Sequence, residues 1–150
     1  MACEQDKTSE TLPPTKIVVA AVIFNQEKDA VLVGLRAKDD ANFPLEWEFI
    51  GGKVEPGEEY NTAIVRELME ELKIEVTPVK VLAVLPNFAG NKQFQIHFIG
   101  CNPVGEIVLD GNLVAHEKVE WVKLEELSKL NFIGCDGEFA QGLVAGKYVF

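Results

Sequence analysis

Three glutamates close together on one predicted helix are the residues of this chain best suited to chemistry. Glu67, Glu70 and Glu71 are three and four positions apart, a spacing that puts them on one face of an α-helix. Like charges this close destabilise a helix unless a cation lies among them. Carboxylate oxygens suit a hard divalent cation, and Mg²⁺ is the usual one where phosphates are bound. The spacing therefore predicts a Mg²⁺ site, with Mn²⁺ as the alternative metal, and a substrate that contains phosphate.

The segments around these glutamates predict how they are positioned. A helix is expected from about Gly57 to Leu72, with Val65, Leu68 and Leu72 on its core-facing side. A glycine-rich turn at 51–52 is expected to connect a short aromatic strand to the segment that leads into this helix. The packing residues and the glutamates then occupy neighbouring faces of one helix.

Apolar and β-branched segments predict the remaining strands, and amphipathic segments predict the remaining helices. The expected strands are 16–24, 30–35, 45–49, 79–85, 93–100 and 118–123, and the expected further helices are 124–130 and 137–147. Strands and helices interleave along the chain, which indicates a mixed α/β or α+β class with a layered sheet.

Composition limits the classes of partner and the number of domains. The chain has 150 residues, which fits one domain, expected over 16–150 after a flexible polar tail over 1–15. Its net charge is −10. The negative charge disfavours nucleic acid polymers and anionic membranes as partners. Three cysteines without CxxC spacing, and no apolar leader, favour reduced thiols and a cytoplasmic location. Whether the protein is a monomer or a homodimer is left open.

The spacing of the residues around the glutamates matches a known pattern. The pattern is glycine, five residues, glutamate, seven residues, then R-E-apolar-x-E-E-x-G-apolar. Eight of its nine defined positions are present here as Gly52, Glu58, Arg66, Glu67, Leu68, Glu70, Glu71 and Ile74. This pattern resembles the signature of the Nudix hydrolases. The departure is Lys73, which stands in place of a glycine at the helix end and is expected to cost about 1 kcal/mol of stability.

The resemblance extends beyond this segment to the MutT-type branch of the family. It includes Arg36 after an apolar strand, the W-E-F-x-G-G-K segment, and H-E-x-x-x-W with the F-I-x-x-D segment that ends at Asp136. The resemblance implies a Nudix-like α/β/α sandwich with a mixed β-sheet and the Nudix loop-helix-loop. It also implies a Mg²⁺-dependent pyrophosphohydrolase that cleaves nucleoside triphosphates to the monophosphate and pyrophosphate.

The resemblance also implies roles for single residues in metal binding and catalysis. Glu67, Glu70 and Glu71 would bind metal, with a carbonyl of Gly51 or Gly52 completing the ligand set. Arg66 would pair with Glu58 or Glu67 and fix its orientation. The general base is left open among Glu67, Glu70 and Glu117, because family members differ in this residue. Ala115 occupies the position where related enzymes carry an acidic residue, and Glu117 follows two residues later.

Substrate contacts are assigned to a second group of residues. Arg36 suits a phosphate or ribose oxygen because its planar fork makes bidentate contacts. Lys53 is a further substrate-binding candidate, and Glu48, Phe49 and Asp136 are candidates on the base side. Asp136 could instead cap the last helix, and Phe49 could instead belong to the core.

Three functions remain open at this point. The first is the nucleoside triphosphate pyrophosphohydrolase, with a role in clearing damaged nucleotides. The second is hydrolysis of another nucleoside diphosphate derivative, such as ADP-ribose or a nucleotide sugar. The third is a nucleotide sensor that does not hydrolyse its ligand, which the intact glutamate triplet disfavours. The preferred base and the scissile phosphorus cannot be read from the sequence.

Overall fold

A computed structural model describes residues 15–109, 113 and 115–150 of the chain. The predicted tail, apart from Thr15, therefore lies outside the described residues. The elements in chain order are β1 (Lys16–Val22), β2 (Ala30–Arg36), β3 (Trp47–Glu48), β4 (Gly51–Lys53), α1 (Tyr60–Leu72), β5 (Val76–Ala89), β6 (Lys92–Pro103), β7 (His116–Lys123), a 3₁₀ helix (Leu124–Lys129) and α2 (Gly134–Val144). In the described part of the chain, none of the helices combines the length and hydropathy needed to span a bilayer.

The strands form two sheets. The first has the order β4-β1-β6-β5, and it is mixed because β1 and β6 are parallel while the other neighbours are antiparallel. The second has the order β3-β2-β7 and is antiparallel throughout. The predicted mixed α+β class is confirmed, with the strands divided between two sheets.

The core has two parts, one on each side of the strands. Val19 and Ala21 of β1 face α1, whereas the alternating residues Ala20 and Val22 face α2. β1 is therefore buried on both faces, as its continuous apolar sequence predicts. Helices on opposite sides of the strands make the α/β/α layering that the resemblance implies.

Helix α1 begins at Tyr60, three residues later than predicted, and its buried stripe is rotated slightly from the predicted one. Ile64 and Leu68 are fully buried, whereas Val65 is only partly buried. The helix is capped by Lys73, whose φ of 59° lies in the left-handed region and whose backbone N–H donates to the carbonyl of Met69 at 3.1 Å. The lysine thus adopts the conformation that the glycine of the family pattern would adopt more readily.

The predicted glycine turn is wrong, because Gly51 and Gly52 lie in β4 and pair with β1. The strand predicted at 45–49 is reduced to β3, since Leu45 has a φ of 55° that does not fit a strand. The β5 and β6 strands are longer than predicted, and the helix expected at 124–130 is a 3₁₀ helix. These differences arise from pairing between distant segments, which local periodicity does not report.

Gly51 is the position in β4 where a side chain is expected to cost the most stability. A Cβ there would lie 1.8 Å from the carbonyl oxygen of Val19, so the β1–β4 pairing would have to open. We expect Gly51→Ala to lower the free energy of unfolding by about 3 kcal/mol. Urea unfolding followed by circular dichroism measures this change. The control is Gly137→Ala in α2, where the added Cβ meets only Phe132 at 3.6 Å and stability should rise or stay unchanged.

Candidate active site

A cavity of about 310 Å³ opens on the face of the four-stranded sheet that carries Val18, Ala20, Phe94 and Ile96. Most residues that the sequence assigns to a site also line this cavity. They are Arg36, Glu48, Phe49, Gly51, Gly52, Lys53, Glu71 and Asp136. The chain thus brings residues from five separate segments to one concave surface.

Arg66 lies at the centre of a hydrogen-bonded group on α1. Its Nε and Nη2 donate to the two carboxylate oxygens of Glu58 at 2.8 and 2.9 Å, and Nη2 also donates to the carbonyl of Lys53 at 3.1 Å. Its Nη1 donates to Glu67 at 2.9 Å and to Glu70 at 3.2 Å. Arg66 therefore pairs with both of the partners between which the sequence could not choose. Hydrogen bonding to Arg66 lowers the pKa of Glu58 to about 2.

Glu67 lies directly against the backbone of β4. A Cβ built at Gly52 would be 2.3 Å from Oε2 of Glu67. The carboxylate can occupy this position only because residue 52 has no side chain. Gly52 and Arg66 together hold Glu67 at the edge of the cavity.

Glu71 is buried to the same extent as Glu67, with 14% of its side chain exposed against 15% for Glu67. Burial, together with hydrogen bonding and charge repulsion from Glu67, raises the pKa of Glu71 to about 9. A second negative charge is thus disfavoured next to Glu67 in the absence of a cation. This is the electrostatic environment that a divalent cation would reverse.

The donor set fits a divalent metal ion in its chemistry. Glu67, Glu70 and Glu71 offer hard carboxylate oxygens, and the close approach of Glu67 to Gly52 places backbone carbonyls nearby. Across residues 15–109, 113 and 115–150, however, no three acidic, histidine or cysteine side chains are arranged as a ready-made metal site. Arg66 donates to Oε1 of both Glu67 and Glu70, so these carboxylates would be shared between Arg66 and a bound ion.

Arg36 is engaged by carboxylates. Its Nη1 donates to Glu48 Oε1 at 2.8 Å and its Nη2 donates to Asp40 Oδ2. Its Nε is buried without a hydrogen-bond partner among the described residues. Asp40 also accepts hydrogen bonds from the backbone N–H groups of Asn42 and Phe43, so Arg36 is tied to the loop that forms one wall of the cavity. A phosphate contact by Arg36 would require it to leave one of these partners.

Phe49 contributes to the cavity mainly through its backbone. Its ring is 2% exposed, stacks on Phe132 at 5.6 Å and meets Phe139 edge-on at 5.3 Å, so the ring belongs to the aromatic core. Its backbone N–H donates to Asp136 Oδ2 at 2.9 Å. The ring is therefore in the core position that the sequence left open as an alternative to base stacking.

Asp136 is a buried carboxyl group in the first turn of α2, with 3% of its surface exposed. The alternative that it caps this helix is wrong, because the N-cap residue is Ile133. Burial raises the pKa of Asp136 well above its usual range, even though Phe49 donates a hydrogen bond to it. A neutral carboxyl group in a cavity can donate as well as accept a hydrogen bond.

This buried carboxyl group should make the stability of the protein depend on pH. In the unfolded chain Asp136 loses its proton near pH 3.9, whereas in the folded chain it keeps the proton to higher pH. The folded state therefore binds more protons above about pH 4, and the contribution of Asp136 to stability falls as pH rises, by at most about 1.4 kcal/mol per unit. Asp136→Asn removes this titration and keeps an acceptor for Phe49. We expect the stability of the variant relative to the wild type to increase as pH rises from 5 to 7. Urea unfolding in the presence of a chelator measures this difference. A stability difference that does not change with pH would contradict the buried, protonated carboxyl group.

Two polar cavity residues of the β5–β6 hairpin were not identified from the sequence. Lys92 begins β6, and Asn87 near the end of β5 is 7% exposed, with its amide against Gly134. Neither residue belongs to the family pattern, and both reach the cavity through pairing between β5 and β6. Lys53, which was predicted, is exposed and makes no ion pair with another described residue, as is also true of Lys92.

Glu117 and His116 are adjacent but point to different surroundings. The carboxylate of Glu117 accepts a hydrogen bond from the backbone N–H of Lys38 at 3.1 Å, and the residue is exposed and does not line the cavity. His116 is buried between Glu48 and Glu71. The catalytic role of Glu117 stays a prediction.

Comparison with known proteins agrees with this geometry. The NUDIX domain model matches residues 14–142. The CTP pyrophosphohydrolase of Escherichia coli strain K12 is 36% identical over 104 residues, which are 57% of this chain and 75% of that protein. The 8-oxo-dGTP diphosphatase of the same organism is 41% identical over 59 residues, 39% of this chain and 45% of that protein, so this match spans less than half of the relative.

A solved structure shows the same fold. The crystal structure of a MutT protein from Methanosarcina mazei Go1 matches with a TM-score of 0.75 at 22% identity, covering 89% of this chain and 95% of that one. The family model covers most of the chain. Two residues of the family pattern, Gly52 and Glu71, line the cavity, and Arg66 links Glu58, Glu67 and Glu70 by hydrogen bonds. The chain therefore belongs to the Nudix family as a MutT-type hydrolase, an enzyme that acts on phosphoric anhydride bonds.

Proposed function

We propose that this protein is a Mg²⁺-dependent pyrophosphohydrolase that cleaves nucleoside triphosphates to the monophosphate and pyrophosphate. The observation that carries the proposal is the cluster of glutamates on α1 beside the cavity. Glu67 fits against Gly52, and Glu71 lines the cavity wall. Mn²⁺ is the alternative metal. The same group would hold either ion, since both prefer oxygen ligands.

The metal site would consist of Glu67, Glu70, Glu71 and a carbonyl of Gly51 or Gly52. When bound there, the ion supplies neutralisation of phosphate charge and a water of lowered pKa. Arg66 orients Glu67 and Glu70 by direct hydrogen bonds. These two glutamates are the candidates for accepting a proton from the attacking water.

Glu117 is a weaker candidate for the base, because its carboxylate is already bound to the backbone of Lys38. Phosphoryl transfer depends mainly on positioning and electrostatics. We therefore assign most of the catalytic contribution of the chain to the fixed orientation of the carboxylates on α1.

The remaining polar residues of the cavity suit a nucleotide. Lys53 and Lys92 offer ammonium groups to the phosphates, while buried Asp136 and Asn87 offer hydrogen bonds to a base. Arg36 and Glu48 bind each other and shape the wall between these groups. The named relatives act on CTP and on 8-oxo-dGTP, which supports nucleoside triphosphates as the substrate class and clearance of unwanted nucleotides as the role.

The net charge and the cysteines bear on the partners of the protein and on its cellular compartment. A net charge of −10 disfavours nucleic acid polymers and anionic membranes as partners. Cys101 and Cys135 are free and buried, which suits the reducing cytoplasm. We infer a cytoplasmic enzyme that acts on small nucleotides, as a monomer or a homodimer.

A nucleotide panel tests the proposal. Phosphate release is measured with Mg²⁺, with and without added pyrophosphatase, for ordinary and oxidised nucleoside triphosphates, ADP-ribose, a dinucleoside polyphosphate and a nucleotide sugar. We expect a pyrophosphatase-dependent signal confined to the triphosphates. Activity only on the diphosphate derivatives would indicate a hydrolase of compounds such as ADP-ribose or a nucleotide sugar. Binding without turnover would indicate a nucleotide sensor.

A further inference from the structure

A buried imidazole lies between two carboxylates at the wall of the cavity. His116 Nε2 is 2.8 Å from Glu48 Oε2, within hydrogen-bonding distance, and its Nδ1 is 3.7 Å from Glu71 Oε1. Only 1% of the His116 side chain is exposed. Both ring nitrogens thus face carboxylates, one from β3 and one from α1. His116 lies outside the nine-position family pattern, although it begins the H-E-x-x-x-W segment of the wider resemblance, and it has no role in the function proposed above.

An irregularity in strand pairing turns the ring inward. Leu35 pairs with Lys118 but Arg36 pairs with His116, so Glu117 is an extra residue in β7. Strict alternation along the strand would place His116 on the same side as Lys118, which is exposed. A bulge at this position lets the side chain change its direction, as bulges beside active sites often do.

The neighbouring strand leaves room for the ring and for no other side chain. A Cβ built at Gly34 would be 2.6 Å from Cδ2 and 2.9 Å from Nε2 of His116. Gly34 pairs with Glu48 on β3 and with Val119 on β7, so it lies directly between the elements that the ring connects. The imidazole is therefore held by the backbone of β2 on one side and by carboxylates on the other.

Glu48 is fixed at both of its oxygens. Arg36 Nη1 donates to Oε1 at 2.8 Å, and His116 Nε2 reaches Oε2 at the same distance. With two partners on two oxygens the carboxylate cannot rotate without losing one of them. Removing His116 would free Glu48 to turn and would leave Glu71 without its neighbour on this side.

We propose that His116 is a positioning residue for the hydrolysis, which holds the carboxylates of Glu48 and Glu71 in place and acts on the reaction only through them. The proposal rests on the proposed function, since Glu71 is assigned there to the metal. It predicts that changes at His116 affect metal affinity and kcat, and that they leave the KM for the nucleotide nearly unchanged. A purely structural role would affect only the stability of the fold.

The test compares His116→Ala, His116→Gln and Gly34→Ala with the wild type. We expect His116→Ala to weaken Mn²⁺ binding and to lower kcat by about 10- to 100-fold each, with KM within about threefold of the wild type. His116→Gln should recover part of both losses, because its amide can still donate to Glu48. Gly34→Ala should act in the same direction by displacing the ring without removing it.

Mn²⁺ affinity is read from the electron paramagnetic resonance signal of the free ion, so it does not depend on turnover. The matched control is His97→Gln, which changes the only other histidine of the chain, a residue that packs on Tyr60 and does not line the cavity. This control should leave Mn²⁺ affinity and kcat at wild-type values.

Unchanged Mn²⁺ affinity and kcat in His116→Ala, or a rise in KM at constant kcat, would overturn the proposal. If His116→Ala does not fold, His116→Gln and Gly34→Ala decide the question in the same way. If the wild type hydrolyses none of the nucleotides, the proposed function fails, and the Mn²⁺ affinities of the variants still decide whether His116 positions Glu71.

Discussion

Glu71→Gln is expected to abolish Mg²⁺-dependent hydrolysis while leaving the fold intact. The change removes one of the three carboxylates assigned to the metal. Electrostatic stabilisation by a bound metal is worth several kcal/mol in the transition state, so we expect kcat to fall by about 10³-fold. Steady-state kinetics on a nucleoside triphosphate at saturating Mg²⁺ measures the loss.

The fold should tolerate this change for a specific reason. Because burial and Glu67 raise the pKa of Glu71 to about 9, the side chain is mostly protonated at pH 7 without metal, and glutamine closely resembles that form. The free energy of unfolding in a chelator should stay within about 0.5 kcal/mol of the wild type. The control is Glu59→Gln, an exposed glutamate before α1 whose side chain caps nothing. Wild-type kcat in Glu71→Gln would show that the metal assignment is wrong.

Gly52→Ala is expected to reduce activity strongly although it removes no functional group. The new Cβ would overlap the carboxylate of Glu67 at 2.3 Å, so Glu67 would have to leave its place against β4. A displacement of about 1 Å at a catalytic group can cost about 10²-fold in rate. We expect a loss of that size in kcat, measured under the same conditions as for Glu71→Gln.

Stability separates this effect from general damage. The atoms that clash with a Cβ at Gly52 belong to the end of a flexible side chain, whereas those at Gly51 belong to the backbone of β1. Gly52→Ala should therefore lose less stability than Gly51→Ala, about 1 kcal/mol or less, yet lose most of its activity. A Gly52→Ala variant with full activity would mean that the contact between Glu67 and β4 has no catalytic importance.

The features of the site that depend on local spacing could be predicted from the sequence. Glu67, Glu70 and Glu71 share one helix, so their separation alone determines which face they occupy. Arg66 donates to Glu67, one of the two partners that the resemblance implied, and also to Glu70, which was not expected. The burial of β1 on both faces could likewise be predicted, because it follows from the apolar sequence of that one segment.

The features that depend on pairing between distant segments could not be predicted. A turn was predicted at Gly51 and Gly52 because glycine is typical of turns, but these residues form a strand that pairs with β1. The partners of Arg36 come from β3 and from its own loop, and only the folded chain shows that both are carboxylates. His116 points inward because of a bulge whose position depends on the pairing of β2 with β7.

Substrate residues divide in the same way. Asp136 was identified from a resemblance, but its burial and its hydrogen bond from Phe49 depend on how α2 packs against the segment after β3. Asn87 and Lys92 reach the cavity through the β5–β6 hairpin, and no spacing along the chain indicates this. Contacts of this kind determine specificity, which is why the preferred base was left open.

Product analysis of a single triphosphate tests the central claim most directly. The purified protein is incubated with a nucleoside triphosphate and Mg²⁺ without pyrophosphatase, and the reaction is followed by ³¹P nuclear magnetic resonance, with a chelator in a parallel sample. We predict that pyrophosphate and nucleoside monophosphate appear in equal amounts, and that the chelator stops the reaction. Release of orthophosphate with the nucleoside diphosphate, or an undiminished rate in the chelator, would contradict a metal-dependent pyrophosphohydrolase.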